Sequence, residues 1–190
     1  MLSAKNLGIS LAVIAGLAAG VTGQTQGQPE EFTAVAIRNN NLGSGADRVI
    51  IRVERWSTEA ERTQLAAALQ KGAGTLLDEL QDQKPVGTIR TPDSLGYDLR
   101  YAHQEPGEDG GRRVVIATDR PISFWEARNQ PRTIDYPFTV IQMEIPKNGE
   151  GKGTMSYATK VMPRGNLIVL ENFATAPIML NSIEARPIRN

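Results

Sequence analysis

One segment of this chain carries helical periodicity, and nearly everything around it alternates or breaks at glycine and proline. In TEAERTQLAAALQKGAGTLLDELQDQ, residues 58–83, Leu65, Leu69, Leu76, Leu77 and Leu80 recur at near-helical spacing. Ser57 or Thr58 caps the start, and Glu61, three residues after Thr58, completes a capping box. Gly72 and Gly74 each cost about 1 kcal/mol relative to alanine in a helix interior. The segment is therefore expected to break into two short helices, at 58–70 and 75–82, with Pro85 ending the helical region.

The flanks read as strands. FTAVAIR (32–38) is a short β-prone run, and NNNLGSGAD (39–47) carries turn residues. In DRVIIRVERW (47–56), Val49, Ile51 and Val53 alternate with Arg48, Arg52 and Glu54, the mark of a strand with one wet face. Beyond the helices, 86–91, 97–103, 112–118, 138–145, 154–162, 166–173 and 177–185 are strand candidates, separated by turn-rich EPGEDGG, PKNGEGKG and PRGN. Two strands, a helix pair and then a run of hairpins predict an α+β fold, mainly antiparallel β with about nine strands. The sheet is expected to be a sandwich or partial barrel, with the helix pair inserted after the second strand.

The N-terminus has the succession of a secretory signal peptide over residues 1–23: Lys5, an uncharged apolar run from Leu7 to Val21, then Val21-Thr22-Gly23 before Gln24. That run is too short to stay in a bilayer as a spanning helix, so no stable membrane span is expected after cleavage. No cysteine follows it, which removes lipoprotein-type attachment and also disulfides. Residues 24–31 read as a flexible leader and 32–190 as one α+β domain. Location is expected to be the bacterial periplasm or the exterior. Lys+Arg and Asp+Glu number 21 each, and this balance offers no field to attract nucleic acid.

Chemistry is sparse. His103 is the only histidine, no zinc or EF-hand spacing occurs, and no cofactor motif is present. Glu105, Glu108 and Asp109 in EPGEDGG lack the regular spacing of calcium ligands and read as a solvated turn. His103 reads as an exposed residue at a strand end, and no G-x-S-x-G elbow accompanies it. KNGEGKG (147–153) lies between strands and opens no helix, so it is no phosphate cradle.

The richest stretch is TDRPISFWEARNQPRTIDYP, residues 118–137. As a ligand site it offers Asp119, Arg120, Trp125, Glu126, Arg128, Arg132 and Asp135. As structure, Ser123 and Glu126 fit a capping box, and Phe124 and Trp125 plug the core while the arginines neutralise the acids. An arginine partner favours the charged carboxylate, which makes a poor general acid at neutral pH. The leading expectation is a non-catalytic binding module of the bacterial cell envelope, for a small molecule, glycan or protein partner. An envelope hydrolase using Asp119, Glu126 or Asp135 comes second, and a structural subunit assembling through exposed sheet edges third.

Overall fold

Val49, Ile51 and Val53 lose all contact with solvent while Arg48 and Arg52 stay exposed, so the alternation read in 47–56 is a strand with one buried face. The computed structural model describes residues 13–15, 27–40, 43–107, 110–122, 137–148, 150–164, 167–172 and 176–188. In chain order the elements are β1 (Val13–Ala15), β2 (Glu30–Asn40), β3 (Gly43–Val53), α1 (Glu59–Lys71), α2 (Ala73–Asp82), β4 (Gly87–Arg90) and β5 (Tyr97–Leu99). Then follow β6 (Tyr101–Pro106), β7 (Arg112–Thr118), β8 (Phe138–Ile145), β9 (Gly151–Arg164), β10 (Leu167–Asn172) and β11 (Ile178–Pro187). The expected leader is shorter than read, because Glu30 and Glu31 already belong to β2 and Ile188 N donates to Pro29 O at 2.9 Å.

The fold is mainly antiparallel β, a nearly closed barrel-shaped sheet with α1 and α2 after the second strand of the barrel. Its order is β5-β4-β3-β2-β11-β9-β8-β7-β6, and every pairing is antiparallel. The two ends of that order, β5 and β6, are separated in sequence by Arg100 alone. One stretch of chain therefore pairs with β4 over Tyr97–Leu99 and with β7 over Tyr101–Pro106, bringing the sheet's margins together. This is why the run read as one strand, 97–103, is two. Ser57 fastens the seam from both sides: its N–H donates to Ala102 O (2.8 Å) and its hydroxyl accepts from Ala102 N (3.1 Å).

Two apolar layers share the sheet. Inside, Phe32, Ile51, Ile89, Leu99, Ile116, Ile141, Met143, Met155 and Leu180 fill the barrel. A small barrel of this kind is a packed core, filled by its own side chains. Outside, Leu65 and Leu69 of α1 and Leu76 and Leu80 of α2 cover Phe138, Val140, Val161 and Leu170. A bulge between the Phe138↔Thr159 and Val140↔Ser156 pairs turns the outer half of β9 over, so Met155 faces the barrel and Val161 the helices.

The capping box at α1 is complete, with Thr58 N donating to Glu61 Oε2 (2.7 Å) and Glu61 N to Thr58 Oγ1 (3.2 Å). The helices part at Gly72 alone, whose φ of 123° is a glycine conformation, and Gly74 lies inside α2. Gly151 and Gly153, read as part of a turn-rich separator, belong to β9. A Cβ on Gly151 would stand 2.8 Å from Glu144 O, so its role is close cross-strand approach, and β9 starts there, three residues before the expected Thr154.

Candidate functional site

Strand directions set two ends to the barrel. The lower end receives the starts of β2 and β7 and the finish of β11. The upper end receives the finish of β2, β4, β7 and β9 and the β4–β5 loop.

The lower end is sealed. Arg112 reaches across from β7 to β2, with Nη1 and Nη2 donating to the two oxygens of Glu30 at 2.7 and 2.9 Å. Nη1 also donates to Gln104 Oε1 (2.8 Å), and the guanidinium stands 5.8 Å from the centre of the Phe32 ring. Trp56, at the strand-to-helix junction, is buried in the core, and its Nε1 donates to Gln28 O at 3.0 Å. Each buried polar group has a partner there, and the arrangement anchors the chain.

At the upper end the first residues of the 118–137 stretch turn into the barrel. Ile122 is 1% exposed and belongs to the inner core. Thr139 holds it in place: its hydroxyl accepts from Ile122 N (3.0 Å) and lies 2.8 Å from Tyr157 O and 3.0 Å from Arg120 O. Asp119 has a side chain only 3% exposed, between Arg100 Nε at 3.6 Å and Arg120 Nε at 3.4 Å. The Thr118 hydroxyl lies 3.2 Å from Asp119 Oδ1 and 2.9 Å from Asp98 O, and Arg100 Nη1 donates to Gln83 O at 2.9 Å. A buried carboxylate between two guanidinium groups at a barrel seam is an ion-paired tether, with Oδ1 hydrogen-bonded to Thr118 and Arg120 and Oδ2 facing Arg100 at ion-pair distance. Of the expected site residues, then, the structure joins Asp119 and Arg120 through an ion pair, with Arg120 exposed. Trp125, Glu126, Arg128, Arg132 and Asp135 lie outside the described residues.

A second polar group, not anticipated, lies on the outer face of β6 beside the first turns of α1. Tyr101 and His103 stack with ring centres 6.3 Å apart and planes at 21°. His103 is not at a strand end, because β6 continues to Pro106, and the residue is half-buried. Burial, then the nearby Arg62, push its pKa down from 6.5, against Glu105 and Glu59. Burial pushes the Tyr101 hydroxyl up. Arg62 grips Glu59 with contacts of 2.6 to 3.0 Å, which lowers the glutamate and raises the arginine. Arg113 Nη1 donates to Glu105 Oε1 at 3.0 Å on the same strand pair. A neutral imidazole against a neutral phenol makes a packed contact along β6, with Tyr101 also packed against the cluster that the helices cover. Among the described residues, no three His, Cys, Asp or Glu side chains come together as metal ligands, and no helix is long and apolar enough to cross a membrane.

Four large apolar side chains stand exposed among the described residues. Val35, Ile37, Leu95 and Met179 are 40%, 38%, 104% and 48% exposed. Ile37 and Met179 are direct cross-strand partners, Val35 pairs with Asn181, and Leu95 rides the β4–β5 loop. No family model matches this chain, and no curated protein or solved structure matches it.

Proposed function

We propose that the protein is a non-catalytic binding module of the bacterial cell envelope and that its partner is another protein, held on the outer face of β2 and β11 and at the β4–β5 loop. One observation carries this reading. Of the four large apolar side chains that stand exposed among the described residues, Val35, Ile37 and Met179 share one patch on the outer face of β2 and β11, Ile37 directly opposite Met179, and Leu95 rides the β4–β5 loop, while the lower end is closed by Trp56 and the Glu30–Arg112 pair. Exposed apolar area gathered in one region marks an interaction surface, whereas single scattered residues do not. The filled barrel favours a surface-bound partner over an enclosed small ligand. Asp119, tied to Arg100 and Arg120, argues for anchoring over the acid–base work of a hydrolase.

A photoreactive residue at position 37 or 95, compared with one at position 150 on the lower end, tests the reading in the producing cell. The expected result is a discrete protein adduct from 37 and 95 that disappears when Met179→Glu is added, with none from 150. Equal labelling from position 150, or no adduct at 37 and 95, would sink it.

A further inference from the structure

We propose that the outer edge of β10 is a strand-acceptor site for an extended, uncharged, apolar segment of a partner polypeptide, and that Val13–Ala15 occupies it while the chain keeps its N-terminal segment. This concerns backbone pairing on the β9–β10 arm and goes beyond the apolar surface described above.

Topology creates the edge. β9 is fourteen residues long, and β8 accompanies it only from Lys152 to Thr159. Thr159 pairs with both Phe138 and Asn172, and Met155 with both Ile141 and Ile178, so β10 and β11 lie in succession along the side of β9 opposite β8. From Thr159 to Arg164 the arm continues with β10 as its margin. β11 has β2 on its far side, whereas β10 has the three-residue β1.

The edge is built to pair. LIVLEN, Leu167–Asn172, runs in unbroken register with β9 from Leu167↔Arg164 to Asn172↔Thr159. It lacks the lysine, proline and bulge by which exposed edges avoid other strands. Leu170 and Ile168 pack with Val161 against the helices, so α1 and α2 hold the arm in shape. An edge in unbroken register, braced by the helix-covered cluster, suits β-augmentation, in which main-chain hydrogen bonds give affinity.

The chain itself shows the chemistry accepted. Val13, Ile14 and Ala15 pair antiparallel with Val169, Ile168 and Leu167. They come from the uncharged run Leu7–Val21, the segment expected to leave on export. Its departure bares the edge for a segment of the same character from another protein.

The test uses the full chain, Met1–Asn190, wild type and Ile14→Pro, compared by residue-resolved hydrogen exchange. Proline removes a backbone donor from β1 and disfavours the extended pairing around it. Amides of Leu167–Val169 should exchange about tenfold faster or more in the variant, while Ile116 and Ile141 stay protected and report an intact barrel. Excess peptide ISLAVIAGLAA (residues 9–19), flanked by lysines for solubility, should restore the protection, and a scrambled polar peptide should not. Unchanged exchange at 167–169 in Ile14→Pro, or failure of the peptide to restore it, overturns the proposal. A concentration-dependent dimer of Ile14→Pro joined through β10 would also overturn it, because the occupant would then be a second copy.

Discussion

Tyr101 and His103 sit two residues apart on β6, and the first turns of α1 bring Glu59 and Arg62 to bear on them. The half-buried imidazole has a folded pKa below its ordinary 6.5, so the unfolded chain takes up a proton first as pH falls. Its contribution to stability is complete above pH 6.5 and is lost as pH drops through the folded value. Glu59 and Glu61, both lowered, add their losses only below 4.5. Unfolding free energy should therefore decline between pH 6.5 and 4.5 in the wild type and be flatter in His103→Gln; urea titrations across that range check it. The stretch 118–137 yields a second contrast. Ile122→Ala empties a fully buried position and should cost about 2–5 kcal/mol, whereas Arg120→Ala loses an exposed partner of Asp119 and should cost about 0–1 kcal/mol. Equal midpoints in urea would contradict the plug made by Ile122. Phe124 and Trp125, the aromatics that drew attention in the sequence, lie beyond the described part of this loop. The plug that is seen was hidden in plain sequence, because a single isoleucine between Pro121 and Ser123 has no period to announce it.

Helix boundaries show how far local rules reach. The capping box at Thr58 and Glu61 and the leucine spacing were legible, since both depend on contacts within one or two turns. Which glycine breaks the helix was not, because composition treats Gly72 and Gly74 alike. The backbone separates them: Gly72 has φ 123° and ψ 167°, which only glycine adopts readily, and Gly74 is helical with open space about it. The two should respond with opposite sign. Gly72→Ala strains the junction by about 1–3 kcal/mol. Gly74→Ala should stabilise by about 0.5–1 kcal/mol. Thermal and urea unfolding of the pair decide it, and a stabilising Gly72→Ala would mean that the hinge is misplaced. The alternation of 47–53 was legible, but β3 begins at Gly43, inside the stretch 39–47 read as a turn, and ends at Val53, before the expected Trp56. The run 97–103 could not be divided from sequence, because the break at Arg100 is imposed by two different neighbouring strands, β4 and β7.

Closure of the sheet depends on few groups. Ser57 receives and returns the backbone hydrogen bonds of Ala102, and Arg100, Thr118 and Asp119 fasten the adjoining stretch. Ser57→Ala should leave Ala102 N without its acceptor and cost about 1–3 kcal/mol. Exchange should quicken at Ala102 before it does at Ile116, and uniform loosening of the whole sheet would show that the seam is not the weak line. The lower seal joins Glu30 to Arg112, 82 residues apart, a pairing that no local pattern encodes. From the sequence alone followed the α+β class, the antiparallel strands, the helix pair after the second strand of the barrel, and the freedom from disulfides, because each rests on periodicity, capping or composition read over short windows. Tertiary structure alone chose a barrel over a sandwich, paired Asp119 with Arg100, set His103 against Tyr101 and brought the exposed Ile37 and Met179 side by side. Those outcomes depend on which strands meet, and strand pairing is decided by burial summed across the whole chain, not within any one segment of it.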